Sequence, residues 1–248
     1  MTEEPLTGGN STEVVRVGDT VRRTAGPWTP AVARLLDLLA AAGIDEVPKH
    51  RGFDAQGREI LSFTEGDVPP YPPPAWVWDD AILVEAGALL RRVHDASAPL
   101  VDQPLTWQLA AHQPAEVVCH NDFAPYNLVF RDGHLVGVID FDTASPGPRI
   151  WDLAYLAYRL VPFAEDALAD SPGPEVRAMR LERLIEAYGH SFAPEEVLAV
   201  AAARLADLAR FTDERAADTG RTDFVEHAAM YRRDQARLLE LSRSARGR

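Results

Sequence analysis

The run Val118-Cys119-His120-Asn121-Asp122-Phe123-Ala124-Pro125-Tyr126-Asn127 is followed, thirteen residues after Asn127, by Asp140 in Gly137-Val138-Ile139-Asp140-Phe141. An acid, an amide five positions later and a second acid can meet at one point if the loop between them folds back. Phosphoryl transfer needs such a set. One carboxylate orients the attacking hydroxyl and accepts its proton, while an amide oxygen and a second carboxylate hold the magnesium ion that bridges the nucleotide phosphates. Magnesium takes hard oxygen ligands and keeps several waters, so two side chains are enough. Asp142, two residues beyond Asp140, faces either that metal or solvent. Cys119 lies in an apolar run and reads as a buried, inert thiol. His94-Asp95 reads as a helix-end cap with surface contacts.

Positioning these groups requires strands on either side of the loop. Leu128-Val129-Phe130 and Leu135 to Ile139 flank Asp132-Gly133, the dipeptide of a tight hairpin turn. Upstream, Val15, Val17 and Val21 around Gly18-Asp19 predict an opening β-hairpin. Thr29-Pro30 predicts a helix start, and Val32, Leu35, Leu36 and Leu39 recur at helical spacing up to Gly43. Asp54-Ala55-Gln56-Gly57 is a turn between two extended runs, the second being Glu59 to Phe63. These elements make a small β-β-α-β-β unit. Five of the six residues from Pro69 to Pro74 are proline, which excludes helix and central strand and predicts a stiff connector. A helix begins at Asp79 or Asp80, and beyond Trp151 helices are predicted near 151–163, 175–188, 194–218 and 223–243.

Composition narrows the partners. With 248 residues, 46% hydrophobic and 25% charged, the chain is an ordinary globular one. Lys and Arg number 25 against 38 Asp and Glu, a net charge of −13. The excess sits in residues 67–170, with 15 acidic and 5 basic side chains. Such a segment repels nucleic-acid phosphates and anionic lipid, so neither nucleic acid nor membrane is expected as a partner. No apolar run reaches the ~18 residues of a membrane span, and the start lacks signal-peptide regions, so a cytoplasmic location is expected. The single cysteine excludes an internal disulfide, and the seven histidines show no pair at metal-binding helical spacing.

The His-x-Asp-x4-Asn loop with its downstream Ile-Asp-Phe resembles the aminoglycoside phosphotransferase and choline kinase family, and Trp151-Asp152-Leu153-Ala154 matches its Asp-Leu-Ala signature. The resemblance implies an α+β, protein-kinase-like fold of two lobes. It places an N-terminal nucleotide-binding lobe at 1–66, a hinge at 67–78 and a catalytic, mainly helical lobe at 79–248. It implies Asp122 as catalytic base, Asn127 and Asp140 as magnesium ligands, His120 as a packing and hydrogen-bonding element and Asp152 as a structural tie. ATP or GTP is the implied donor, and a small-molecule hydroxyl the acceptor. The acidic middle segment favours a cationic acceptor such as an aminoglycoside or another amino-alcohol.

In the first lobe, Gly9 and Ser11 lie where a phosphate-covering turn belongs, and Glu65 where the adenine meets the hinge. The resemblance implies a phosphate-pairing cation on the third strand, usually Lys; Lys49 is the sole lysine, and that strand offers only Arg22 or Arg23. Arg22, which follows Thr20-Val21, is the expected one rather than Arg23. The helix from Pro30 to Ala42 lacks the usual glutamate partner and carries only Asp37. Compact chains with Arg-Arg at this strand resemble a trifolitoxin-immunity-like branch, whose alternative function is binding or toxin immunity without turnover.

Overall fold

The computed structural model describes residues 3–6, 14–167 and 171–246. The chain forms two compact units. The first takes residues 1–68, 92–122 and 127–148; the second takes 69–91, 123–126 and 149–248. The strands on either side of the Asp122–Asn127 loop therefore belong to the same unit as the N-terminal strands.

In the first unit, β1 (Glu4–Leu6), β2 (Val14–Val17), β3 (Thr20–Arg23), β4 (His50–Phe53) and β5 (Glu59–Ser62) form an antiparallel sheet in the order β1-β2-β3-β5-β4. Gly18, at φ +63°, makes the β2–β3 turn. Successive side chains of a strand point to opposite faces. On β3, Thr20 and Arg22 therefore share one face and Val21 and Arg23 the other; Thr20 and Arg23 are buried, while Val21 and Arg22 are partly exposed. Helix α1 (Thr29–Ala41) buries Val32, Leu35, Leu36 and Leu39 along one stripe. Thr29 does not cap it through its own first turn: its hydroxyl accepts the Gly26 N–H at 2.9 Å.

Two small ribbons carry the motif. Strand β6 (Val117–Cys119) pairs with β9 (Ser145–Gly147), and β7 (Leu128–Arg131) pairs with β8 (His134–Val138). Asp132 and Gly133, at φ +53° and +81°, close β7–β8 with the paired left-handed residues of a type I′ turn. Asp67 bonds Phe130 reciprocally through the backbone, at 2.7 and 2.9 Å.

The second unit is helical: the first part of α2 (Asp80–Ser97), then α3 (Arg149–Leu160), α4 (Pro174–Tyr188), α5 (Pro194–Thr219) and α6 (Thr222–Arg246). Gly189 and Gly220 end α4 and α5 in the left-handed conformation. Tyr158, Tyr188, Leu205 and Leu238 are buried in its core. Arg180, buried, donates to the carbonyls of Trp78 and Leu160 at 2.8 and 3.2 Å and to Asp80 at 2.9 Å. His94 is fully buried within α2, so the reading of it as a surface contact does not hold. Among the described residues, no helix is long and apolar enough to cross a membrane.

Candidate active site

His120 organises the loop. It is 1% exposed, and its Nδ1 accepts the Asp122 N–H at 3.2 Å, so the ring proton sits on Nε2 and is donated to the Ile139 carbonyl at 3.0 Å. One ring thus ties the residue before Asp140 to Asp122. Phe141 packs on it with ring centroids 4.5 Å apart. Asn121, at φ +65°, is held in that conformation by its side chain, which donates to the Thr143 carbonyl and Ser145 Oγ, both at 2.8 Å. The Thr143 hydroxyl returns a bond to the His120 carbonyl at 3.0 Å.

This frame brings the three motif residues together. Asn127 Nδ2 donates to the carbonyl and to Oδ2 of Asp122, both at 2.9 Å. The Asn127 carbonyl accepts the Ile139 N–H at 2.9 Å, which fixes Asp140 as the next residue. Asp140 also has φ +65°, and its side chain is 55% exposed.

The cation beside this set is Arg23. Its Nη1 lies 3.6 Å from Asp140 Oδ1, its Nη2 2.7 Å from Asp142 Oδ1, and its Nε donates to Glu59 Oε2 at 2.6 Å. Burial works against the guanidinium charge, but Asp142, Glu59 and Asp140 outweigh it and hold the pKa above its usual value. Arg22 is turned elsewhere, with Nη1 donating to Thr20 Oγ1 at 2.6 Å and Nε 4.0 Å from Asp54. Arg22, the arginine expected from the sequence, is thus turned away from this set, because strand alternation sends two adjacent arginines to opposite faces. Glu65 pairs with Arg16 at 2.5 Å and is 63% exposed. Gly9 and Ser11 lie outside the described residues.

The family model described as a phosphotransferase enzyme family matches residues 101–200, which span this loop. The trifolitoxin immunity protein of Rhizobium leguminosarum bv. trifolii is 36% identical over 197 residues, covering 75% of this chain and 74% of that protein. The chain belongs to the phosphotransferase family of aminoglycoside phosphotransferases and choline kinases. Its fold is correspondingly protein-kinase-like and α+β. Plasmodium vivax ethanolamine kinase superposes with a TM-score of 0.71 at 13% identity, covering 98% of this chain and 84% of that one. An aminoglycoside phosphotransferase in a ternary complex with streptomycin and ATP gives 0.56 at 15% identity, covering 93% of each chain.

For a phosphotransferase, the donor set suits magnesium. Asn127 spends its amide nitrogen on Asp122, and its Oδ1 makes no hydrogen bond among the described residues. Asp140 adds a half-exposed carboxylate, and both are hard oxygen donors. Asp142 is different. Burial is the main influence raising its pKa, against the attraction of Arg23 and with Asp140 adding to the rise, and it faces Arg23 and the Trp28 side chain.

The second unit contains a buried arginine of its own. Arg159, on α3, is 6% exposed and is surrounded by the rings of Tyr71, Tyr126, Tyr155 and Tyr158, whose centroids lie 4.9–6.0 Å from its guanidinium carbon. It donates to the Tyr71 hydroxyl at 3.1 Å and to Asp166 at 3.1 Å. Nearby acids are matched in the same way: Glu165 pairs with Arg233 at 2.6 Å, and Asp234 pairs with Arg237.

Proposed function

We propose that this phosphotransferase moves the γ-phosphoryl group of ATP or GTP to a hydroxyl of a small molecule. Asp122 accepts the hydroxyl proton. Asn127 fixes one carboxylate oxygen of Asp122 and thereby orients the other, while His120 holds the backbone on which both depend. Asn127 and Asp140 would hold magnesium, which when bound neutralises charge on the phosphates. Arg23 steadies the phosphate oxygens with its Nη groups, a role sequence counting gives to Arg22. The observation that carries the reading is the hydrogen bond from Asn127 to Asp122, with Asn127 itself tied to Ile139.

Pairing of Asp166, Glu165 and Asp234 with arginines supports a neutral or singly charged acceptor, such as a small amino-alcohol, over a polycation such as an aminoglycoside. The test is a transfer screen with ATP and GTP across amino-alcohols, sugars, macrolides and aminoglycosides, with Asp122→Asn as the control. Turnover of amino-alcohols lost in D122N is expected; turnover that survives in D122N contradicts the role of Asp122.

A second reading, a binding or immunity protein without turnover, is favoured by the 36% identity to the trifolitoxin immunity protein. It predicts no rise in melting temperature with millimolar ATP or GTP and magnesium, whereas a nucleotide-using enzyme is stabilised by its ligand.

A further inference from the structure

A phosphate-binding cation in a kinase-like fold must be held in one orientation, and α1 offers no glutamate to hold it. Its one acid, Asp37, is exposed. The acid comes instead from the neighbouring strand. The antiparallel register of β3 and β5 sets Arg23 directly opposite Glu59. Glu59 is 0% exposed, and the second oxygen of its carboxylate, Oε1, has no hydrogen-bond partner among the described residues. Stability does not explain such a residue. Burying a carboxylate with one oxygen unpaired is costly, and an apolar side chain of similar volume would serve a sheet better.

Arginine chemistry gives the pair its use. The guanidinium divides its donors: Nε is taken by Glu59, and the Nη edge is left pointing toward Asp140 and Asp142. Lysine, with one nitrogen, could not meet both ends at once. This explains why arginine replaces lysine where the acid lies across a sheet ladder.

We propose that Glu59 is the positioning residue for Arg23, and that this cross-strand pair, rather than any acid on α1, sets the affinity for nucleotide triphosphate. The inference rests on the phosphotransferase reading. Because β3 and β5 are hydrogen-bonded neighbours, the cation's orientation is built into the sheet. Movement of α1 therefore does not switch it.

The test is the dissociation constant for ATP with magnesium, measured by titration calorimetry on the full chain, with melting curves confirming that each variant is folded. Glu59→Gln keeps the shape and removes the charge; it is expected to weaken ATP binding about tenfold. Asp37→Asn is expected to leave it unchanged. Arg23→Lys is expected to cost ATP affinity far less in the E59Q background than alone, because two contacting residues that act on the nucleotide through one another are not additive in its binding. ATP affinity of folded E59Q within about twofold of the unaltered protein would overturn the inference while leaving the phosphotransferase reading intact. An unaltered protein that binds no nucleotide overturns the reading itself, and the inference with it. If E59Q does not fold, Glu59→Asp carries the same expectation, and failure of both to fold makes the pair structural and overturns the proposal.

Discussion

Replacing His120 with alanine removes more than one contact. The ring is 1% exposed and makes two hydrogen bonds, from the Asp122 N–H and to the Ile139 carbonyl, and it packs against Phe141. Each bond contributes about 1 kcal/mol, and the loss of a partner leaves a buried peptide group at a cost of about 1–3 kcal/mol. The aromatic contact adds about 0.5–1.5 kcal/mol. Because these overlap, the expected loss is about 4 kcal/mol, at the severe end for a single substitution. Denaturant unfolding of the unaltered and H120A chains gives the number directly. His120→Gln, which can still donate to Ile139, should recover about half. Phosphoryl transfer in H120A should fall further than stability alone explains, measured where the variant remains folded, because Asp122 and Asp140 lose their common tie. A stability loss below about 1 kcal/mol would refute the claim that this ring organises the loop.

The two arginines of β3 are separable: Arg22→Ala should leave ATP affinity near that of the unaltered protein, and Arg23→Ala should weaken it by more than about tenfold in the same calorimetric titration. Asp142 gives a pH signature. Its pKa is raised in the folded chain, chiefly by burial, above an ordinary value of 3.8, so the folded state binds its proton more tightly than the unfolded state. The stability this gives is fully present below the unfolded pKa and is lost as pH rises through the folded one. The stability of Asp142→Asn minus that of the unaltered chain should therefore increase from about pH 3.5 toward neutrality; a difference that falls over this range contradicts the assignment. In the second unit, Tyr158 donates to Asp234 at 2.6 Å with both residues 0% exposed, so Tyr158→Phe should cost about 1.5–3 kcal/mol in denaturant unfolding.

The sequence makes the local elements plain. Asp132-Gly133 specifies the β7–β8 turn because both positions need positive φ, and the stripe Val32, Leu35, Leu36, Leu39 specifies α1. The helices predicted at 175–188 and 194–218 are observed at Pro174–Tyr188 and Pro194–Thr219. Non-local pairing is what stays hidden. Strand β9 is Ser145-Pro146-Gly147, a composition with no strand signal, and it is extended because β6 pairs with it. Strand β1 at Glu4–Leu6 lacks any alternation to announce it.

The site divides along the same line. Asp122, Asn127 and Asp140 stand out by type and spacing, since phosphoryl transfer needs those groups in that order. The choice between Arg22 and Arg23 depends on the phase of a four-residue strand, which counting does not supply. In the sequence Glu59 is only the first residue of an extended run, and only the register of β3 and β5 shows that it meets Arg23. Whether Asp142 faced metal or solvent was undetermined by spacing, and its 2.7 Å approach to Arg23 provides a third partner.

The most direct trial of the whole account is the transfer of labelled γ-phosphate from ATP, with magnesium, to a small amino-alcohol by the unaltered protein and by Asp122→Ala side by side. The account predicts incorporation of label into the acceptor by the former and its loss by about a thousandfold in the latter, with ATP still bound. Equal incorporation by both proteins would contradict it.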